Sequence, residues 1–336
     1  MILPLIGNIF RRINRVSGGG QFKTLAIDAN PPQDRGASVG LCMGMIALGF
    51  ALGASLGGTL ADGLGLFAMQ SISVVLGCVN TAIAVFCVTA PKKVPPPVIA
   101  DSVEAETVVK ATKALSLPRR LLRKWSQTRF AFVMRAAVKD LDIGLAYTVR
   151  FLISVSFWVY VGTFDLFVTE RFNLTATELG RVLSFVGIAF GFVTGVVVPF
   201  LLRQTALSQW NYLKWGMFVL AIGRVVLSQS PNFVVFLLAN GMVSLGAGVV
   251  ETMIPAILSS RCSLEDRGLY IGTLGAMEGI AGVFAPALSG TIYDTLGPGF
   301  PALMSGLMAT FTLAVILSAQ HVQRRRKARP SKYHRV

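Results

Sequence analysis

The chain has 336 residues, 53% of them hydrophobic and only 14% charged, against roughly a quarter charged in soluble domains; that composition excludes an ordinary water-soluble fold. The formal net charge of +15 would suit nucleic acid, but the basic residues are partitioned by position in a way that gives them a different partner. Four cysteines without ligand spacing and two tail histidines (His321, His334) leave no metal site or cofactor to expect, and no nucleophile–base pair or phosphate loop argues for an enzyme.

About twenty apolar residues cross the hydrocarbon core of a bilayer, and eight segments qualify: 36–61, 66–90, 144–168, 176–202, 209–229, 232–257, 268–292 and 298–320. Backbone groups in lipid must be satisfied internally, so each is expected to be helical. A closed barrel would need alternating polarity in roughly ten-residue segments, and that period is absent. The expected fold is an all-α integral membrane protein.

Residues 1–35 form an N-terminal segment without a span. MILPLIGNIF is too short to cross, and Arg11-Arg12 follow the apolar run instead of preceding it as in a secretory signal. Residues 36–90 hold spans one and two, with Asp62 between them expected to cap the second. Gly49, Gly53 and Gly57, with Gly40 and Gly44 earlier and Gly58 beside them, clear a stripe at four-residue spacing, as do Gly187, Gly191 and Gly195 in span four; such stripes let helix backbones approach closely. Cys42, Cys78 and Cys87 lie within these spans and read as small apolar residues.

Residues 91–143 form a basic linker. It opens with Pro91 and Pro95–Pro97, passes Asp101, Glu104 and Glu106, then mixes basic with apolar residues over Leu117–Val138. That mixture fits a helix in the headgroup region of an anionic leaflet or, nearly as well, a solvated link. Spans three to eight follow with short connections, so 144–320 reads as one six-helix unit. Asn173-Leu174-Thr175 is a glycosylation sequon in the loop between spans three and four. Residues 321–336 form a basic tail.

When the connections are assigned alternately to two sides, 27 of the 31 Lys and Arg fall on the side that carries both termini and the linker. The opposite side holds Arg171, and Arg150, Arg181 and Arg224 lie within or at the ends of spans. Positive loops stay inside, so both termini are expected in the cytoplasm, of a plasma or an organelle membrane. The lipid bilayer, and no nucleic acid, is the expected partner of the basic charge.

A charge near the bilayer midplane costs at least ~3 kcal/mol on insertion scales, so each one is a functional candidate. At ~1.5 Å per residue, Glu278 in span seven lies about 15 Å from the cytoplasmic edge, and Glu251 and Arg150 about 9 Å. Arg150 and Glu251 can pair. Asp165 sits near the outer end of span three, and Arg224 reads as a residue snorkelling from an outer-facing helix end.

Residues 33–65 and 265–297 align without a gap at an offset of 232, with 11 of 33 positions identical. They share Asp34–Gly36 with Asp266–Gly268, Gly58-Thr59 with Gly290-Thr291, and Asp62 with Asp294; Glu278 pairs with Ile46. An internal repeat within apolar spans is the mark of a membrane protein built from two like halves.

Pro31-Pro32-Gln33-Asp34-Arg35-Gly36 followed by Gly40 resembles the entry to the fifth helix of the major facilitator superfamily. Gly49-x-x-x-Gly53-Ala54-x-x-Gly57-Gly58 is similar to the fifth-helix signature of its drug–proton antiporter branch, with Ala54 where that signature has proline; the second copy keeps the proline as Pro286. The resemblance implies that the eight spans match family helices five to twelve. A complete six-helix C-terminal lobe would then follow a two-helix remnant of the N-terminal lobe, with the first four helices expected to be missing. It further implies secondary transport of a small organic solute by alternating access, with protons as a candidate coupling ion in antiport. Glu278, Glu251, Arg150 and Asp165 are the candidates for substrate or proton coupling, and Gly49, Gly53, Gly57, Gly58 and Pro286 those for helix packing. The competing expectation is a truncated, non-transporting membrane protein, acting through a helix partner that replaces the missing lobe.

Overall fold

The computed structural model describes residues 35–87, 129–204, 207–263 and 266–328. The expected N-terminal segment, most of the linker and the end of the tail lie outside them. Among the described residues every regular element is helical. They are α1 (Arg35–Cys87), α2 (Arg129–Lys139), α3 (Leu141–Gly162), α4 (Phe164–Phe172), α5 (Ala176–Phe192), a π-helical turn (Val193–Val197), α6 (Val198–Gln204), α7 (Gln209–Ser228), α8 (Phe233–Ser259), α9 (Arg267–Leu296) and α10 (Phe300–Ala328).

Six helical stretches are long and apolar enough to cross a membrane: Gly40–Ile83, Leu141–Phe172, Ala176–Leu202, Phe233–Ser259, Arg267–Leu296 and Phe300–Val322. The difference from the expected eight has two sources. Spans one and two fall within α1, which is broken only at Gly65 (φ 80°, ψ 163°). The fifth span, α7, carries Gln209, Asn211, Lys214 and Arg224 and so is less apolar than the rest.

Gly65 has a counterpart. Its repeat partner 232 residues on is Gly297, which ends α9 at φ 108°, ψ 170°. Side chains disfavour positive φ, so both copies need glycine at this point. In the second copy the chain turns there, through Pro298-Gly299, into α10.

Local chemistry explains the other boundaries. Asp140 caps α3 by accepting from the Asp142 amide at 2.9 Å. Asn173 ends α4 in the left-handed region (φ 53°), a conformation asparagine tolerates. Thr175 and Glu178 then open α5 with a reciprocal capping box. The π turn precedes Pro199. Proline supplies no N–H and crowds the carbonyl four residues back, and the wider turn relieves that crowding.

In lipid there is no hydrophobic drive between helices, so close packing and polar contacts hold the bundle together. Leu213, Met217, Leu220 and Leu227 of α7 are almost fully buried, as are Phe236, Val250, Ile254 and Leu258 of α8. α7 meets α8 through glycines: a Cβ at Gly246 would lie 2.5 Å from the Leu220 nitrogen. Near the other end of α3, Phe164, Phe167, Phe172, Phe233 and Phe236 form a continuous ring cluster. Large apolar side chains such as Phe67, Val283, Phe284 and Phe311 face outward.

The first half of α1 runs antiparallel along α5. A Cβ at Gly40 would meet the Thr194 carbonyl at 2.3 Å, one at Gly180 the Ala54 carbonyl at 2.6 Å, and one at Gly58 the Ala176 carbonyl at 2.5 Å. Ser184 Oγ donates to the Ala51 carbonyl at 2.6 Å. The expected glycines divide: Gly40, Gly44 and Gly58 make the contact, together with Ala47, Ala51 and Ala54, whereas a Cβ at Gly49, Gly53 or Gly57 would meet nothing within 4 Å. Asp62 also differs from expectation. It does not cap its own second helix. Its carboxylate reaches α5, accepting from the Thr177 amide at 2.8 Å and the Thr177 hydroxyl at 2.5 Å.

Contacts between helix ends join ends that an alternating chain would bring to the same side. Arg261 pairs with Asp142, Tyr147 donates to the Tyr270 carbonyl at 3.0 Å and Lys214 to Gln320 at 3.1 Å. At the opposite end Arg171 donates to the Ser230 carbonyl at 3.3 Å, and Tyr293 donates to Glu170.

Candidate functional site: a charged cluster shared by three helices

Arg150 lies two turns into α3 and is 3% exposed. Its Nη1 donates to Glu251 of α8 and its Nη2 to Glu278 of α9. The pairing of Arg150 with Glu251 was legible from their depths. The addition of Glu278 to the same guanidinium was not, because nothing in the spacing says that α9 packs beside α3. The two acids are unequal in exposure, 24% for Glu251 and 39% for Glu278. Glu278 is therefore the most exposed charged group of this cluster. Arg150 Nε is buried without a partner.

Prolines mark both acid-bearing helices. Pro255 has no N–H for the carbonyl of Glu251, and Pro286 has none for the carbonyl of Gly282, one turn past Glu278. A proline inside a helix removes one backbone hydrogen bond of the ladder and weakens the helix locally. Pro286 also packs closely on α3, with its Cα 3.1 Å from a Cβ built at Gly162. Beyond Arg150 on the same face of α3 come Ser154 and Trp158, at spacings of four. Ser154 Oγ and Trp158 Nε1 are both buried without a partner. The Trp158 indole lies on Gly282, 3.0 Å from where a Cβ would stand.

Asp165 is placed apart, in the first turn of α4 beyond the break at Thr163. Asn173 is exposed at the α4–α5 turn; the hydroxyl of Thr175, the third sequon residue, is engaged with Glu178.

Arg224 corrects the sequence expectation. It is 1% exposed and does not snorkel. Its Nη1 donates to Ser156 Oγ of α3 and, at 2.5 Å, to Ser305 Oγ of α10. Its guanidinium carbon stands 5.2 Å from the centre of the Tyr160 ring, and the Tyr160 hydroxyl donates to Asn240 at 2.9 Å. Ser156 and Ser305 each donate to the other's backbone carbonyl, at 2.8 and 2.6 Å. A signal for this burial was present: Arg224 continues the stripe Leu213, Met217, Leu220, Leu227 at spacings of four and three, all of them core residues.

Comparison with known proteins gives consistent results. The profile described as Major Facilitator Superfamily matches residues 22–223 and 146–335. Solute carrier family 22 member 18 of Mus musculus is 25% identical over 299 residues, covering 85% of this chain and 66% of that protein. MFS-type transporter SLC18B1 of Homo sapiens is 31% identical over 186 residues, 50% of this chain and 39% of that one. MFS-type efflux pump MMF1 of Mycosarcoma maydis is 29% identical over 89 residues, 25% of this chain and 14% of that one. The chain thus spans only part of each relative's length. Among solved structures, the human organic anion transporter MFSD10 (TETRAN) superposes with a TM-score of 0.61 at 18% identity, over 88% of this chain and 66% of that one; this is a likeness of fold.

Proposed function

Because the chain belongs to the Major Facilitator Superfamily, we propose that it moves a small organic solute across a membrane by alternating access, exchanging it for protons at the Arg150–Glu251–Glu278 cluster. The observation that carries this is a single buried guanidinium shared by two carboxylates from different helices. A proton on Glu278 removes its charge and its claim on Arg150 Nη2, leaving Arg150 to Glu251. α9 is then free of α3 at that point. Two discrete arrangements biased by one proton are what coupling requires. His321 and His334 lie at the end of the last membrane-capable stretch and beyond it, so carboxylates deeper in the spans are the proton carriers, with Asp165 as an accessory near the outer end of α3. Membership of this family, with relatives named as transporters and an efflux pump, supports a transporter and not an enzyme.

The architecture proposed with this function keeps eight spans. The matching backbone at Gly65 and Gly297 supports a hairpin in α1 like the one formed by α9 and α10. Residues 36–90 are then the two-helix part of one lobe and 144–320 the six-helix lobe, joined through the basic segment 91–143 on the cytoplasmic side. The open face at Gly49, Gly53 and Gly57 favours one alternative, a non-transporting protein that receives a partner helix there.

The test uses the full chain in proteoliposomes with an imposed pH gradient. Wild type shows gradient-driven flux of at least one solute from a panel of organic ions. Glu278→Gln abolishes that flux while inserting normally. Flux in the mutant with unchanged pH dependence would remove Glu278 from coupling, and absence of flux in the wild type would favour the partner-helix reading.

A further inference from the structure

We infer that the exposed face of α2, carrying Arg135, Val138 and Lys139, is a docking surface for anionic phospholipid headgroups of the leaflet at which α3 begins. This contact needs no transport cycle and stands apart from the Arg150 cluster.

The α2 sequence, RFAFVMRAAVK, folds into a helix with two unlike faces. Val133 is fully buried in the core, with Met134, Ala136 and Ala137 packed beside it. The Ala137 carbonyl lies so close to α3 that a Cβ at Gly144 would stand 2.4 Å from it. Asp140, extended at φ −104° and ψ 113°, turns the chain between the two helices, and α2 also touches α9. A helix held in this way is part of the bundle and not a solvated tether. Its neighbours are the helices that carry Arg150 and Glu278, so whatever binds α2 also holds their near ends.

The opposite face is open. Val138 and Lys139 follow Arg135 at spacings of three and four, so the three share one side of the helix. All are exposed, Val138 to 87%. Among the described residues neither Arg135 nor Lys139 pairs with an acid. Leu141, which opens the membrane-capable stretch Leu141–Phe172, is half-exposed. Lys139 therefore stands two residues before the hydrocarbon edge, within the ~5–7 Å that headgroups occupy on each side. Water is a poor medium for Val138, and neutral lipid leaves both cations without counter-charge. An anionic leaflet answers both needs, with phosphates for Arg135 and Lys139 and acyl carbons beneath them for Val138. The guanidinium can hold a phosphate bidentately and the ammonium adds a point charge one turn away. Each basic residue near such a surface contributes roughly fivefold in affinity.

The full chain in nanodiscs tests this. Val138→Cys, in a background lacking the native cysteines, carries a polarity-sensitive fluorophore, and the discs hold phosphatidylcholine alone or with added phosphatidylglycerol. Phosphatidylglycerol moves the emission to shorter wavelength, shields the probe from acrylamide and exposes it to lipid-borne nitroxide quenchers; high salt reverses the change. Arg135→Gln and Lys139→Gln each raise the phosphatidylglycerol fraction needed for half the shift about fivefold, and together they remove the response. Arg181→Gln, near the start of α5, keeps it. The charge-keeping exchange of Arg135→Lys with Lys139→Arg also keeps it, which separates lost lipid contact from a disturbed helix. An equal response to the two lipids, or a response kept by the double Gln variant, would overturn the inference. So would acrylamide quenching that phosphatidylglycerol leaves unchanged, and the face would then belong to water or to a protein partner.

Discussion

A guanidinium serving two carboxylates is an unequal arrangement, and the inequality can be measured. Arg150 is buried, while Glu251 and Glu278 keep 24% and 39% exposure. Removing one partner of a buried pair costs ~3–5 kcal/mol, and partial hydration of the acids reduces that to ~2 kcal/mol. Arg150→Leu should therefore lower the melting temperature of the purified protein, and adding Glu251→Gln should recover part of the loss. A single mutant melting like wild type would mean that the acids do not depend on Arg150. Depth along a helix, read from residue number, located Arg150, Glu251 and Glu278. Arg224 belongs to an apolar stripe of α7 and so is buried, and the hydroxyls that receive it come from α3 and α10, far off in sequence.

At the scale of elements, small residues decide which helices touch. α1 and α5 approach so closely that added side chains would collide with backbone, as at Gly180, where a Cβ would stand 2.6 Å from the Ala54 carbonyl. Overpacking of that kind costs ~1–3 kcal/mol. Gly180→Ala should destabilise the protein in a detergent melt, whereas Gly49→Ala, placed in open space, should be neutral or slightly stabilising through its better helix propensity. Equal effects from the two would contradict the packing face described here. Glycine spacing in the sequence showed that α1 carries small residues for close contact. It could not say which of those glycines make the contact: Gly40, Gly44 and Gly58 do and Gly49, Gly53 and Gly57 do not, a division set by where α5 lies.

For the whole molecule, direction across the membrane is the main consequence of the charge partition. Single cysteines introduced at positions 110 and 330, in a background lacking the native cysteines, should resist an impermeant maleimide in intact cells and react after permeabilisation. One at position 173 should react from outside. Labelling of position 110 or 330 in intact cells would overturn the orientation. The contacts that join like ends of α3 and α9, of α4 and α9, and of α7 and α10 support the alternation on which this orientation rests.

Some properties followed from the amino-acid order alone because they are one-dimensional. Apolar length makes a helix in lipid, loop charge sets the expected side of each connection, and a fixed offset reveals a repeat whose closing glycines, Gly65 and Gly297, adopt the same backbone state. Others depend on which helices become neighbours. Arg150 gathers a second carboxylate because α9 packs beside α3, Asp62 caps α5 because α1 lies along it, and Arg224 is buried because Ser156 and Ser305 meet around it. Helices in a bilayer can hide an apolar face against lipid as readily as against each other, so apolarity alone does not choose their partners; close backbone approach and paired polar groups do, and these exist only once the bundle is assembled.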